Sequence, residues 1–281
     1  MNLRGLLDLI RPVNCVMIGF AVIVGAFVSK PSSMPWPQLA LGFLTGFFTC
    51  AYSMSVNDIY DLEVDRINRP DRPIPSGRVS VRQASTFSLL MLVAGMACAF
   101  LSFIPLAVGI AFAYAFLSWL YSARAKRTGL LGNLIVASSL AIPFIYGGAV
   151  SGGSIGGSLL LMMALTAFFS GVGREVVKSM ADVEGDAKRE VSSIARTRGL
   201  GFASAVGALF FIFAVLTSWV PLVTGLANQV YTYGVIVPDV IFVYLAVAVV
   251  VHHDSQNAYR VKRIALAGMT VGLLVFIGGA V

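Results

Sequence analysis

The chain reads as a succession of long apolar runs separated by short polar stretches. Nine runs can be marked, at about 13–29, 37–57, 83–102, 104–121, 130–150, 158–178, 200–219, 229–251 and 264–281. Each is long enough to cross a hydrocarbon core as a helix. Period-two alternation with regular turns is absent, so the pattern predicts helices and not a barrel. Pro105, Pro143 and Pro221 punctuate the runs, and Gly147-Gly148 and Gly152-Gly153 predict close helix packing or turns. The expected fold is all-α, a polytopic membrane protein of nine transmembrane helices forming one domain over residues 1–281.

Composition agrees. Of the 281 residues, 58% are hydrophobic and 12% charged, with a mean hydropathy of +0.86, whereas soluble domains are about a quarter charged. The first run has no small-residue cleavage site and eight more follow, so a span is expected there and not a removed signal. Cys15, Cys50 and Cys98 all lie inside apolar runs, where they act as small hydrophobes; neither disulfide nor zinc spacing is present. The net charge of +7 does not signal nucleic acid, because the bases are scattered among acids in several loops with no basic arm.

The charges fall on alternate loops. Arg4 and Arg11 precede the first run; Arg66, Arg69, Arg72, Arg78 and Arg82 follow the second. Arg124, Lys126 and Arg127 follow the fourth, six more bases lie between 174 and 198, and Arg260, Lys262 and Arg263 lie between 252 and 263. Lys30 is the only base in the intervening loops, and Asp239 the only acid there or in a span. The positive-inside rule places the rich side in the cytoplasm, with the N-terminus inside. A plasma-membrane location and a cytoplasm-facing site are expected.

Two acidic clusters sit on that side. The first is Asn57-Asp58-Ile59-Tyr60-Asp61-Leu62-Glu63-Val64-Asp65, followed by an Arg-rich stretch to Arg78; the second is Asp182-Val183-Glu184-Gly185-Asp186. On a helix, Asp58, Asp61 and Asp65 share one face, and like charges so close call for a cation. Hard carboxylate oxygens suit Mg²⁺, which shares its shell with phosphates. Arg174, Lys178, Asp182 and Asp186 are spaced by four and form a second stripe. Glu175 and Glu184 fall on other faces and rank lower as ligands. The clusters follow the second and sixth runs, which suggests a weak four-helix repeat, about 1–125 and 126–251, plus a final helix at 264–281.

Other polar residues have less definite roles. In Tyr121-Ser122-Ala123-Arg124-Ala125-Lys126-Arg127 the bases could bind a diphosphate or anchor a helix end. Arg11 could meet a phosphate or snorkel, and Asn14 is expected as a buried amide one turn further in. His252 and His253 read as interface residues. The hydroxyls in the spans show no nucleophile–base order.

The first cluster with Asn68-Arg69-Pro70-Asp71-Arg72-Pro73-Ile74-Pro75-Ser76-Gly77, and Asp182-x-x-x-Asp186 with the nine runs, resembles the UbiA superfamily of intramembrane prenyltransferases. The resemblance covers the whole chain and implies a ring of nine helices around a cavity open to lipid. It implies Mg²⁺-dependent transfer of a polyprenyl group from its diphosphate to a lipophilic acceptor. By position, Asn57, Asp58, Asp61, Asp65, Asp182 and Asp186 would hold metal, and the five aspartates among them would carry catalysis. Asn57, Arg72, Tyr121, Lys126 and Lys178 would bind diphosphate, and Arg11, Asn14 and Arg174 the acceptor. One departure is that four residues, not the usual three, separate Tyr121 from Lys126.

Within the superfamily, Tyr121 to Asn133 and Gly173-Arg174-Glu175 leading into Asp186 look most like the branch that moves geranylgeranyl onto the glycerol hydroxyl of geranylgeranylglyceryl phosphate in archaeal ether-lipid synthesis. The implied partners are a polyprenyl diphosphate, a lipophilic phosphate acceptor and membrane lipid; no nucleic acid or protein partner is implied. An aromatic acceptor, as in quinone synthesis, is the nearest alternative. An ion transporter is remote, because its ionisable groups would lie near the midplane.

Overall fold

The structure is a computed structural model that describes residues 2–29, 32–153, 158–188 and 190–280; Lys30 and Arg189 lie outside them. The described residues form helices and no strands. Eight helices are long and apolar enough to cross a membrane, and a ninth span results if the bent pair α1 (Leu3–Ile10) and α2 (Pro12–Val28) counts as one. The others are α3 (Trp36–Tyr60), α5 (Val81–Leu101), α6 (Pro105–Ala123), α7 (Leu130–Ser151), α8 (Ser158–Ala181), α11 (Leu200–Val223), α12 (Gln229–Gly234) running into α13 (Ile236–Val251), and α14 (Ser255–Ala280). Short helices α4 (Leu62–Asn68), α9 (Val183–Lys188) and α10 (Ile194–Arg198) lie in the charged stretches. The all-α polytopic expectation is met.

The described chain divides into two compact units. One contains α1, most of α2, α3 to α6 and α7 from Ile142; the other contains α7 up to Ala141 and α8 to α14. In the first, α2 meets the later part of α7 at backbone distance. A Cβ on Gly25 would lie 2.1 Å from the Phe144 carbonyl oxygen, and one on Gly147 would lie 2.0 Å from that of Val22. Small residues allow this approach, which in lipid substitutes for a hydrophobic driving force. Gly147→Val is therefore expected to cost about 1–3 kcal/mol by overpacking. A lower unfolding temperature in detergent is the check; an unchanged one would show that the crossing yields freely.

The second unit has its core on α8, α11, α13 and α14, where Val172, Val176, Met180, Phe211, Leu245 and Val261 are buried together. Asp239, which hydropathy marked as an anomaly, is buried in the first turn of α13. The Ser218 hydroxyl donates to its oxygens at 2.9 and 3.1 Å and the Trp219 indole N–H at 2.8 Å. A buried carboxylate is tolerated when donors meet it; here it ties α11 to α13.

The last span needs one correction. Arg260, Lys262 and Arg263 were expected in a loop ending near 263, but α14 begins at Ser255 and carries all three. Asp254 caps it, its Oδ1 accepting the Asn257 N–H at 2.8 Å. That bond holds the Asp254 carboxyl below the ordinary carboxylate range. A hydropathy window averages over charged residues and misses a helix whose first turns are polar, whereas a side-chain cap sets the start.

Candidate active site

In the first unit, α3 carries its apolar stripe directly into the acidic cluster. Asp61 sits at the joint between α3 and α4, yet its N–H bonds the Asn57 carbonyl at 2.9 Å and Asp65 N–H bonds Asp61 O at 2.8 Å. The helical ladder thus continues through the joint. Asp58 and Asp65 are buried, Asn57 and Asp61 half-buried, and the Asn57 amide donates to Asp61 Oδ2 at 3.0 Å.

Two arginines meet these carboxylates. Arg11 ends α1 in the left-handed region at φ 51°, a conformation costing roughly 1 kcal/mol for a side-chain residue. Pro12 opens α2 across a 46° bend. From this corner the Arg11 guanidinium donates to Asp58 Oδ1 and approaches Met54 Sδ at 3.2 Å. Arg72 donates to the same Asp58 oxygen at 3.2 Å and to Asp65 Oδ2. The turn that presents Arg72 is closed by backbone bonds from Ser76 N–H to Arg72 O and from Val79 N–H to Pro73 O, both 3.0 Å. Ile74 and Val79 bury against Leu6 and Leu9 of α1. Burial acts against the Arg72 cation, but Asp58 and then Asp65 outweigh it and raise its pKa above the ordinary arginine value.

Asn14 differs from its expectation. It is exposed, whereas Cys15 and Val22 are among the residues that α2 buries. Tyr121 is half-buried in the last turn of α6.

In the second unit, Lys126 occupies a short 3-10 turn, Ala125–Arg127, and is half-buried while Arg127 is exposed. The turn is held from below. A Cβ on Gly129, at φ 65°, would lie 2.1 Å from Ser192 O, and Ser192 N–H donates to Arg127 O at 2.9 Å.

The second acidic cluster repeats the broken-helix form of the first. Asp182 sits between α8 and α9, and Asp186 N–H bonds its carbonyl at 2.9 Å. Asp186 is buried and Asp182 exposed, with the Asp182 carboxylate lying over Gly185, whose absent Cβ would come within 2.2 Å of Oδ1. Glu175, ranked low from its helical face, turns out to be a buried clamp. Its Oε1 accepts from Arg174 at 2.9 Å and its Oε2 from Lys178 at 2.8 Å. A carboxylate three residues from one cation and adjacent to another was the available signal; only packing shows that it is buried.

Among the described residues no three acids are gathered into a ready cage for an ion, and arginines and Asn57 bond to oxygens of the first cluster. The donor set nevertheless fits a hard divalent cation: hard oxygens from four residues spread over two helical turns, beside guanidinium groups suited to phosphate.

The profile of the UbiA prenyltransferase family matches residues 18–273. The chain belongs to that family. It is a multi-pass membrane prenyltransferase, and the transporter alternative falls away. It is 37% identical to digeranylgeranylglyceryl phosphate synthase of Archaeoglobus fulgidus, over 99% of this chain and 96% of that one. A solved structure reported for digeranylgeranylglyceryl phosphate synthase in membranes superposes with a TM-score of 0.84 at 30% identity, covering 99% of this chain and 98% of the other. A UbiA homologue from Archaeoglobus fulgidus bound to DMAPP and Mg²⁺ shares the fold, with a TM-score of 0.71 at 19% identity over 97% of this chain and 99% of that one.

Proposed function

We propose that this prenyltransferase moves a geranylgeranyl group from geranylgeranyl diphosphate to the glycerol hydroxyl of geranylgeranylglyceryl phosphate, forming digeranylgeranylglyceryl phosphate. The one-sided distribution of lysine and arginine supports a site at the cytoplasmic face of the plasma membrane. The observation that carries the choice of acceptor is the full-length similarity to the Archaeoglobus synthase. A cationic group of Arg174 and Lys178 around buried Glu175 supports an anionic acceptor over an aromatic one.

Asn57, Asp58, Asp61, Asp65, Asp182 and Asp186 are the residues that would hold Mg²⁺, which the DMAPP-bound homologue contains. When bound, it supplies positive charge for the leaving diphosphate. Lys126, on its braced turn, meets charge that grows on the same oxygens as the allylic carbon–oxygen bond breaks and its electron pair departs with the diphosphate. Arg72 orients Asp58 and Asp65 and contributes a further cation to the diphosphate, with Tyr121 donating beside it. The acceptor hydroxyl oxygen then bonds to the allylic carbon. Its proton passes to the diphosphate or to an aspartate, since an electrophile this strong needs no strong base. Apolar side chains of the spans hold the prenyl tail and exclude the water that would otherwise give free prenyl alcohol.

The test uses purified protein with labelled geranylgeranyl diphosphate, Mg²⁺ and a panel of acceptors. Product is expected with geranylgeranylglyceryl phosphate and is lost on chelation of the metal. Product with an aromatic acceptor alone would overturn the assignment of the acceptor while leaving the family intact.

A further inference from the structure

Beyond the two acidic clusters, the second unit brings three cations together from separate stretches of chain. Arg174 and Lys178 lie one turn apart on α8, both on the Glu175 carboxylate. The third, Lys262, comes from α14, which packs alongside α8. The Ser255 hydroxyl pins the start of α14 to the end of α8, donating to Met180 O at 3.0 Å. This places Lys262 within electrostatic reach of Lys178, Asp182, Arg174 and Glu175. Its Nζ lies 4.3 Å from the centre of the Tyr259 ring, which fixes the direction of a long side chain.

The charges do not suit a purely structural ion pair. Glu175 is 6% exposed and its two oxygens are taken up by two cations, so Lys262 adds positive charge to an acid already engaged, the Asp182 carboxylate being the other acid that acts on it. Among the described residues the buried Nε–H of Arg174 has no hydrogen-bond acceptor, and a buried donor without one is costly. A guanidinium edge with two ammonium groups is the donor set that takes a phosphate dianion. Lys178 is half exposed, so the group is open to a ligand while Glu175 beneath it is closed.

We propose that Arg174, Lys178 and Lys262, held by Glu175, form the subsite for the phosphate monoester of the acceptor, and that Lys262 sets the preference for a phosphorylated acceptor over its neutral alcohol. The proposal rests on the acceptor assigned above and moves Lys178 from the donor diphosphate to the acceptor. It places the phosphate at the charged helix ends, where the glycerol and lipid chain can extend toward the apolar spans.

The test measures KM for geranylgeranylglyceryl phosphate, for its dephosphorylated alcohol and for the donor, in the wild type, Lys262→Met and Lys262→Arg. Folding is followed by thermal unfolding in detergent. Lys262→Met is expected to raise KM for the phosphorylated acceptor by about ten- to a hundredfold. The KM values for donor and neutral alcohol stay unchanged, and Lys262→Arg restores most of the preference. An increase confined to the donor KM would assign the group to the diphosphate and overturn the proposal. So would an undiminished preference for the phosphate in a folded Lys262→Met. Failure of the wild type to use the phosphorylated acceptor would instead overturn the acceptor assignment, and the subsite with it.

Discussion

Asp58→Asn is expected to lower kcat for prenyl transfer by about a hundred- to a thousandfold while the protein remains folded. The substitution keeps the volume of a side chain that is 2% exposed, and its remaining oxygen can still accept from Arg11 and Arg72. What disappears is the negative charge. Asp58 is the acid on which both arginines converge, so it governs how positive charge is distributed over the cluster. Its neutral amide is also a weaker ligand for a hard divalent ion. Asp58→Ala is the less informative variant, because it leaves two partly buried guanidinium groups facing a cavity. Steady-state transfer at several Mg²⁺ concentrations makes the measurement. Near-normal turnover that still depends on Mg²⁺ would remove Asp58 from the mechanism.

Arg72→Ala is expected to reduce transfer about a hundredfold and to lower the unfolding temperature of metal-free protein by about 5–10 °C. Arg72 bonds both Asp58 and Asp65, two buried carboxylates that repel each other once it is removed. A divalent ion supplies the missing positive charge, so Mg²⁺ should raise the unfolding temperature of Arg72→Ala more than that of the wild type. Arg72→Lys should recover stability better than activity, since an ammonium cannot bridge two carboxylates as a planar fork does. Equal Mg²⁺ stabilisation in variant and wild type would show that the ion and Arg72 do not serve the same acids.

The site was legible in parts. Asp58, Asp61 and Asp65 announced themselves because four acids at the end of an apolar run violate hydropathy, and Asp182 and Asp186 because their spacing repeats the theme. Arg72 could be named, but its partners could not. Arg11 could not be tied to Asp58, as 47 residues separate them and no local pattern links them. Asn14 was expected to be buried from its place one turn beyond Arg11; which face of α2 packs inward is decided by tertiary contacts, and Asn14 is exposed. Lys262 carried no signal, because it was assigned to a loop.

The chain by itself determined that it spans a membrane with apolar helices, that its charges gather in alternate polar stretches, and where the acid clusters lie. These depend on local composition: twenty apolar residues dictate a span, and a carboxylate at the end of a span dictates a partner. Tertiary structure alone decided which partner. Packing of α1 beneath the 69–80 turn puts Arg11 and Arg72 on one oxygen of Asp58. The seam between α8 and α14 brings Lys262 within electrostatic reach of the buried Glu175 clamp. Charge pairing falls off with distance in space, not along the sequence, so it becomes readable only once the helices are packed.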